Sequence, residues 1–186
     1  TINGIPFNDA EGQGVYWVNM PDLSSSTNDI QIQRGVGAST TGASAFGASI
    51  NLSTLSTINS NKPYGEISNS FGSFNTFKNT IRLGTGLIDG KWNFEGRLSK
   101  VASDGFIDRA SSDLNSYYFS GSYLGEKTAI QALVFSGNEK TYQSWGGTPL
   151  RVLDTNQTYN PYTYDNQVDN YTQTNYQLHL TNKPTK

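Results

Sequence analysis

Cysteine is absent from the 186-residue chain, and histidine and methionine occur once each. Without thiols, disulfides, thiolate metal sites and cysteine nucleophiles are excluded. The lone histidine, His179, has no cysteine or second histidine to complete a zinc site, which takes several such ligands in one place. Neither sign of charge dominates, with 13 Lys and Arg against 15 Asp and Glu. That balance offers no basic field for nucleic acid and no acidic tail. No apolar run approaches the roughly 20 residues a membrane helix requires. A transmembrane strand stays open, because it needs only about ten residues of alternating polarity. Hydrophobic residues make up 34% of the chain, low for a soluble core of this length, yet aromatics reach 12%. The aromatic content argues against disorder, so strands with one apolar face each fit best.

The stretch QIQRGVGASTTGASAFGASINLST, Gln31 to Thr54, carries Gly35, Gly37, Gly42 and Gly47. A phosphate loop would need Gly-Lys-Ser/Thr, and no lysine occurs in this stretch. A dinucleotide fingerprint would need a helix opening at the glycines. Instead Ile50 and Leu52 alternate with polar neighbours, which reads as a strand. The glycines are expected to serve tight turns and close backbone approach.

Residues 1–56 read as irregular and mixed, with an Asn3-Gly4 turn, the apolar island VYWVNM, and Pro21-Asp22 as the start of a one-turn helix. From about Tyr64 a period of two takes over. Phe77, Ile81, Leu83 and Leu87 share one face, against Lys78, Thr80, Arg82, Gly84 and Gly86. Trp92, Phe94 and Leu98 oppose Asn93, Glu95, Arg97 and Ser99. Tyr117, Phe119 and Tyr123 oppose Tyr118, Ser120 and Ser122, and Tyr176, Leu178 and Leu180 oppose Asn175, Gln177 and His179. Segments near 64–74 and 128–137 alternate less cleanly. Ile88-Asp89-Gly90-Lys91 and Gly125-Glu126-Lys127 read as tight turns, whereas the links near 102–113 and 138–169 are long. Membrane barrels keep short turns on one side and long loops on the other. Alternation alone fits either such a barrel or a soluble sandwich, in which the tyrosines and Trp145 would form a carbohydrate platform.

Several stretches, in order, resemble a TonB-dependent outer-membrane receptor of the Bacteroidetes type. NGIPFNDAEGQGVYWVNMPDLSSS is similar to the middle of that family's plug domain, and IQIQRGVGASTTGASAFGASINLST to the segment that closes the plug. SDGFIDRASSDL and EKTYQSWGGTP resemble extracellular-loop regions of the barrel. The resemblance implies a mainly β fold: the C-terminal part of a plug domain (1–56), then about six antiparallel strands of an incomplete transmembrane β-barrel (57–186). A family barrel has about 22 strands, so a fragment is expected, with signal peptide, TonB-contacting segment and most of the barrel outside it. The implied function is uptake of a scarce nutrient such as a ferric siderophore across the outer membrane of a Gram-negative cell. The implied partners are the TonB complex, a small-molecule or metal-chelate cargo and outer-membrane lipid. No enzyme activity, cofactor or nucleic acid is expected.

By its place in the plug-closing motif, Arg34 is expected to face barrel-wall carboxylates, with Glu95 and Glu66 as candidates. An enclosed cation must be paired, since an unpaired buried charge is very costly. Lys78, Arg82, Arg97 and His179 are expected to face the lumen. Tyr142, Trp145 and Tyr159 are candidates for ligand contact in an extracellular loop, where aromatic side chains grip with little entropy lost. For Tyr142 a place in the aromatic girdle at the lipid boundary, or loop packing, is the preferred reading. Asp104, Asp108 and Asp113 lack the spacing of a calcium loop and read as turn residues.

Overall fold

The computed structural model describes residues 1–9, 11–12, 14–36, 47–56 and 61–183. Two short 3-10 turns, Trp17–Asn19 and Leu23–Ser26, precede an antiparallel pair, β1 (Thr27–Arg34) and β2 (Ala48–Thr54). Six strands follow: β3 (Tyr64–Phe71), β4 (Phe77–Gly84), β5 (Trp92–Ser103), β6 (Ser112–Leu124), β7 (Thr128–Tyr142) and β8 (Val168–Asn182). They form one sheet in sequence order, each antiparallel to its neighbour. A single helical turn, α1 (Leu150–Leu153), sits in the last link.

Where it is described, the glycine run belongs to an antiparallel β pair, with Gly35 and Gly47 exposed at its end and open space around both. Gly35 adopts φ +82°, open to glycine without strain, and its N–H donates to Gly47 O at 2.8 Å. That bond closes the β1–β2 ladder at its end. Gly37 and Gly42 lie outside the described residues.

The last three links run long, short, long as the sequence suggests, while the first, 72–76, is shorter than the second, 85–91. At one end of the sheet lie 85–91 and 125–127, and at the other 72–76, 104–111 and 143–167. Asp89 and Gly90 both have positive φ, 49° and 66°, the geometry whose twist matches that of paired strands. Ile88 N–H donates to Trp92 O at 2.7 Å, and Lys91 N–H to Ile88 O at 2.9 Å, which locks this hairpin.

Burial on the sheet is inverted relative to a water-soluble protein. On β5, Glu95 and Arg97 are only 4% and 2% exposed, while Phe94 and Leu98 are 47% and 51% exposed. The same alternation runs through β6, where Ser116, Tyr118, Ser120 and Ser122 are buried. The described residues among the first 56, Ile2, Met20, Asp22 and Leu52 among them, pack against that polar face. Among the described residues no second sheet covers the apolar one, so Trp92 and Leu178 stay exposed. A sandwich would have placed them in a dry core.

Candidate functional site

The region where chemistry concentrates is the seam between residues 1–56 and the polar face of β4–β8. Its apolar part joins Ile2, Met20, Leu23, Leu52 and Leu55 to Tyr118, Leu133 and Phe135 of the wall. Leu133 and Phe135 explain the weak alternation of β7: both stand on the otherwise polar face, where the covering segment needs an apolar partner. Tyr118 is fully buried, and its hydroxyl lies 3.1 Å from both Thr54 Oγ1 and Leu55 O. Asn3 Nδ2 donates to Gln177 Oε1 at 3.1 Å, and Gln177 Nε2 donates back to Ile2 O at 3.3 Å. Gly137 permits close approach, since a Cβ there would lie 2.3 Å from Pro21 Cδ and 2.9 Å from Asn19 O.

The polar centre of the seam is Asp22. It precedes the Leu23–Ser26 turn with a left-handed backbone, φ 56°, and its side chain is 4% exposed. Rather than capping its own turn, the carboxylate reaches across to the wall. Lys78 Nζ lies 2.5 Å from Oδ1, and Arg97 Nη1 lies 3.2 Å from Oδ2. The Ser99 hydroxyl also donates to Oδ2, and Ser25 Oγ donates to Oδ1 at 2.6 Å. Arg97 donates further to Ser116 Oγ at 3.0 Å. Burial disfavours the charged carboxylate. Hydrogen bonds from Lys78, Ser25 and Ser99, with the Lys78 charge, outweigh it and hold the Asp22 pKa below the usual aspartate value.

The charge pairing seen among the described residues is a different one from that expected of Arg34. Among the described residues Arg34 makes no ion pair; it is exposed at the end of β1, opposite Ala48. Glu66 faces Arg82 instead, at 3.5 Å on the same sheet, and Glu95 is buried on the inner face of β5. The covering segment supplies the acid and the wall supplies the cations. Lys78, Arg82, Arg97 and His179 all stand on the inner face, and His179 Nε2 lies 3.3 Å from Gln177 Oε1. Asp22 was legible only as a helix start, because its partners are strands far along the chain.

At the long-link end the three loops interlock. Asp104 N–H donates to Phe74 O at 2.9 Å, and Asn75 Nδ2 donates to Asp104 Oδ2 at 2.6 Å. Arg109 donates to the carbonyls of Asn160 and Tyr162, and buried Asn160 donates to Asp108 O and Gln143 O. Tyr142 is buried, its hydroxyl 2.7 Å from Tyr164 O and 3.1 Å from Tyr162 O, so it fastens the loop. Trp145 is 79% exposed beside Tyr162, with ring centroids 5.4 Å apart, and Tyr159 is marginally exposed. Asp104, Asp108 and Asp113 make separate contacts and do not converge on one point.

A sheet with a polar face covered by its own N-terminal segment, a bare apolar face and loops gathered at one end defines the class: a mainly β chain consistent with a partial barrel or plug fragment. Neither a protein-family model nor a curated protein sequence matches the chain. Among solved structures it is similar to a chain of the FpvAI–pyocin S2 complex, a TonB-dependent receptor complex, with a TM-score of 0.64 and 19% identity. The match covers 78% of this chain and 19% of that one, so the present chain spans about a fifth of the other's length. At that identity the shared feature is the fold.

Proposed function

We propose that the chain is part of a TonB-dependent outer-membrane transporter, with residues 1–56 in the plug and β3–β8 in the wall. The inverted burial of β4–β8 is the observation that carries this reading. In water, exposed Phe94, Leu98 and Leu178 would forgo about 25 cal/mol for each Å² of apolar surface left unburied, and hydrocarbon removes that penalty. The two longest links, 104–111 and 143–167, share one end, and a barrel of this kind turns its longer loops outward, which supports that end as the outer one although the short link 72–76 lies there too. The six-stranded sheet has open edges at β3 and β8. Such edges cannot rest in lipid, so transport belongs to the closed barrel.

In this reading a small scarce nutrient, a ferric siderophore or similar chelate, is captured at the loop end, where Trp145 and Tyr159 are the candidate contacts. Inward release follows displacement of the plug, driven through TonB by way of residues outside this stretch. The Asp22 seam is one latch between plug and wall. The test is a reversible lock in the full-length receptor, Asp22→Cys with Ser99→Cys, whose parent side chains are in direct contact. Oxidised cells should bind radiolabelled ferric chelate yet fail to import it, and reduction should restore import. Import unaffected by the closed disulfide would overturn the proposed release step.

A further inference from the structure

The outward face of the sheet changes character along a single row. On β5, Trp92, Phe94 and Leu98 point outward, and the ring of Phe119 lies over Gly96. That apolar run covers about 20 Å of strand at ~3.3 Å per residue. The next outward row is polar on every strand it crosses. Asn79 pairs with Lys100, Lys100 with Asn115, Asn115 with Asn138, and Asn138 with Thr172. A membrane strand takes about 9–11 tilted residues. This row therefore meets the level at which acyl chains give way to headgroups, on the long-loop side.

A shallow groove of about 560 Å³ straddles the change. Ile81, Leu98 and Tyr117 line its apolar half, and Lys100, Asn115 and Asn138 its polar half. The hollow arises because the Tyr117 row continues with small side chains: Tyr117 pairs with Ser136, and Ser136 with Thr174. Lys100 is the one charged side chain lining the groove. On the loop side it is ion-paired with Asp113, which pairs across the ladder with Lys140. Two lysines thus flank one carboxylate on this face, Lys100 in contact with it and Lys140 opposite it in the ladder, so one positive charge is left over beside the amide groups above an apolar floor.

We propose that this groove binds one anionic membrane lipid, with the acyl chain along Ile81, Leu98 and Tyr117 and the phosphate against Lys100. The inference rests on the transporter reading for its membrane setting. Its chemistry is that of charge-assisted hydrogen bonds to phosphate at a basic membrane-level site. Native mass spectrometry of the full-length receptor, released from vesicles of phosphatidylglycerol and phosphatidylcholine with matched acyl chains, tests it. Phosphatidylglycerol should be retained about fivefold over phosphatidylcholine, the ratio that roughly one near-surface lysine supports. Lys100→Ala with Lys140→Ala should abolish the preference, and Ser136→Leu, which fills the groove, should remove the retained lipid. Inorganic phosphate should not compete. Equal retention of both lipids, or a preference surviving Lys100→Ala, would overturn the site. So would competition by inorganic phosphate, which would mark a free-anion site. Protease protection of the wall in the same vesicles scores the transporter reading separately. Protected but unselective protein overturns the lipid site alone, and unprotected protein overturns both.

Discussion

Asp22 contacts two cations on different strands, so its removal is not a local event. Asp22→Ala leaves Arg97 buried without its counter-charge, which costs about 3 kcal/mol, the lower end for a broken buried pair because Lys78 stays a third exposed. In the full-length protein, urea should then loosen the plug at lower concentration, followed by the emission of Trp17. The pH dependence has a definite sign. The folded pKa of Asp22 lies below the unfolded value of about 3.9. Its contribution is therefore complete above that unfolded value and is lost as pH falls through the lower folded pKa. Asp22→Asn should remove that acid-dependent step from a titration of plug release. Gly137 makes a steric claim: Gly137→Ala must push back Pro21 and Asn19, at about 1–3 kcal/mol, seen as easier proteolysis of residues 1–56. At this scale the sequence was a partial guide. The inner-face positions of Lys78, Arg82 and Arg97 followed from alternation alone. The partner of the buried cation did not, because a carboxylate in a short turn carries no mark of which distant strand covers it.

The elements differ in how plainly their patterns speak. Strands β4, β5, β6 and β8 alternate cleanly because water or polar partners meet one face throughout. Strand β7 blurs because Leu133 and Phe135 face inward to complete the apolar seam with Ile2 and Met20. A period-two reading has no means of seeing that the inner face is dry at this spot. Strand β3 blurs for another reason: Gly65 and Asn69 share its outer positions with Ile67 and Phe71. The Asp89-Gly90 hairpin was readable from two residues. Gly90→Val should destabilise it by about 1–2 kcal/mol, because a β-branched residue is strained at φ 66°. A shift in the thermal unfolding midpoint of the full-length protein, with Lys91→Ala as an unshifted control, would measure this. The opposite links hide their main feature from sequence, since Arg109 and Asn160 join loops about fifty residues apart through backbone carbonyls, and Tyr142 ties down Tyr164 within the last link.

For the whole molecule, the wall is a sheet turned inside out. On β5 the charges Glu95 and Arg97 are buried on the face that the N-terminal segment covers, while Trp92, Phe94 and Leu98 look outward. At the short-turn end Trp92 packs on Tyr123, with ring centroids 4.8 Å apart, and stacks near Phe94 at 6.3 Å. Such a cluster is an aromatic girdle if lipid lies beyond it. Trp92 is thus a reporter placed at the point in question. Replacing Trp17 and Trp145 by Phe leaves it as the sole indole, because the chain has three tryptophans. In the full-length receptor any further tryptophans would be replaced likewise and the protein reconstituted in vesicles. Brominated acyl chains should then quench Trp92 emission strongly and aqueous acrylamide weakly. Strong quenching by acrylamide with none from brominated lipid would show that the apolar face meets water or protein, contradicting a membrane-spanning wall.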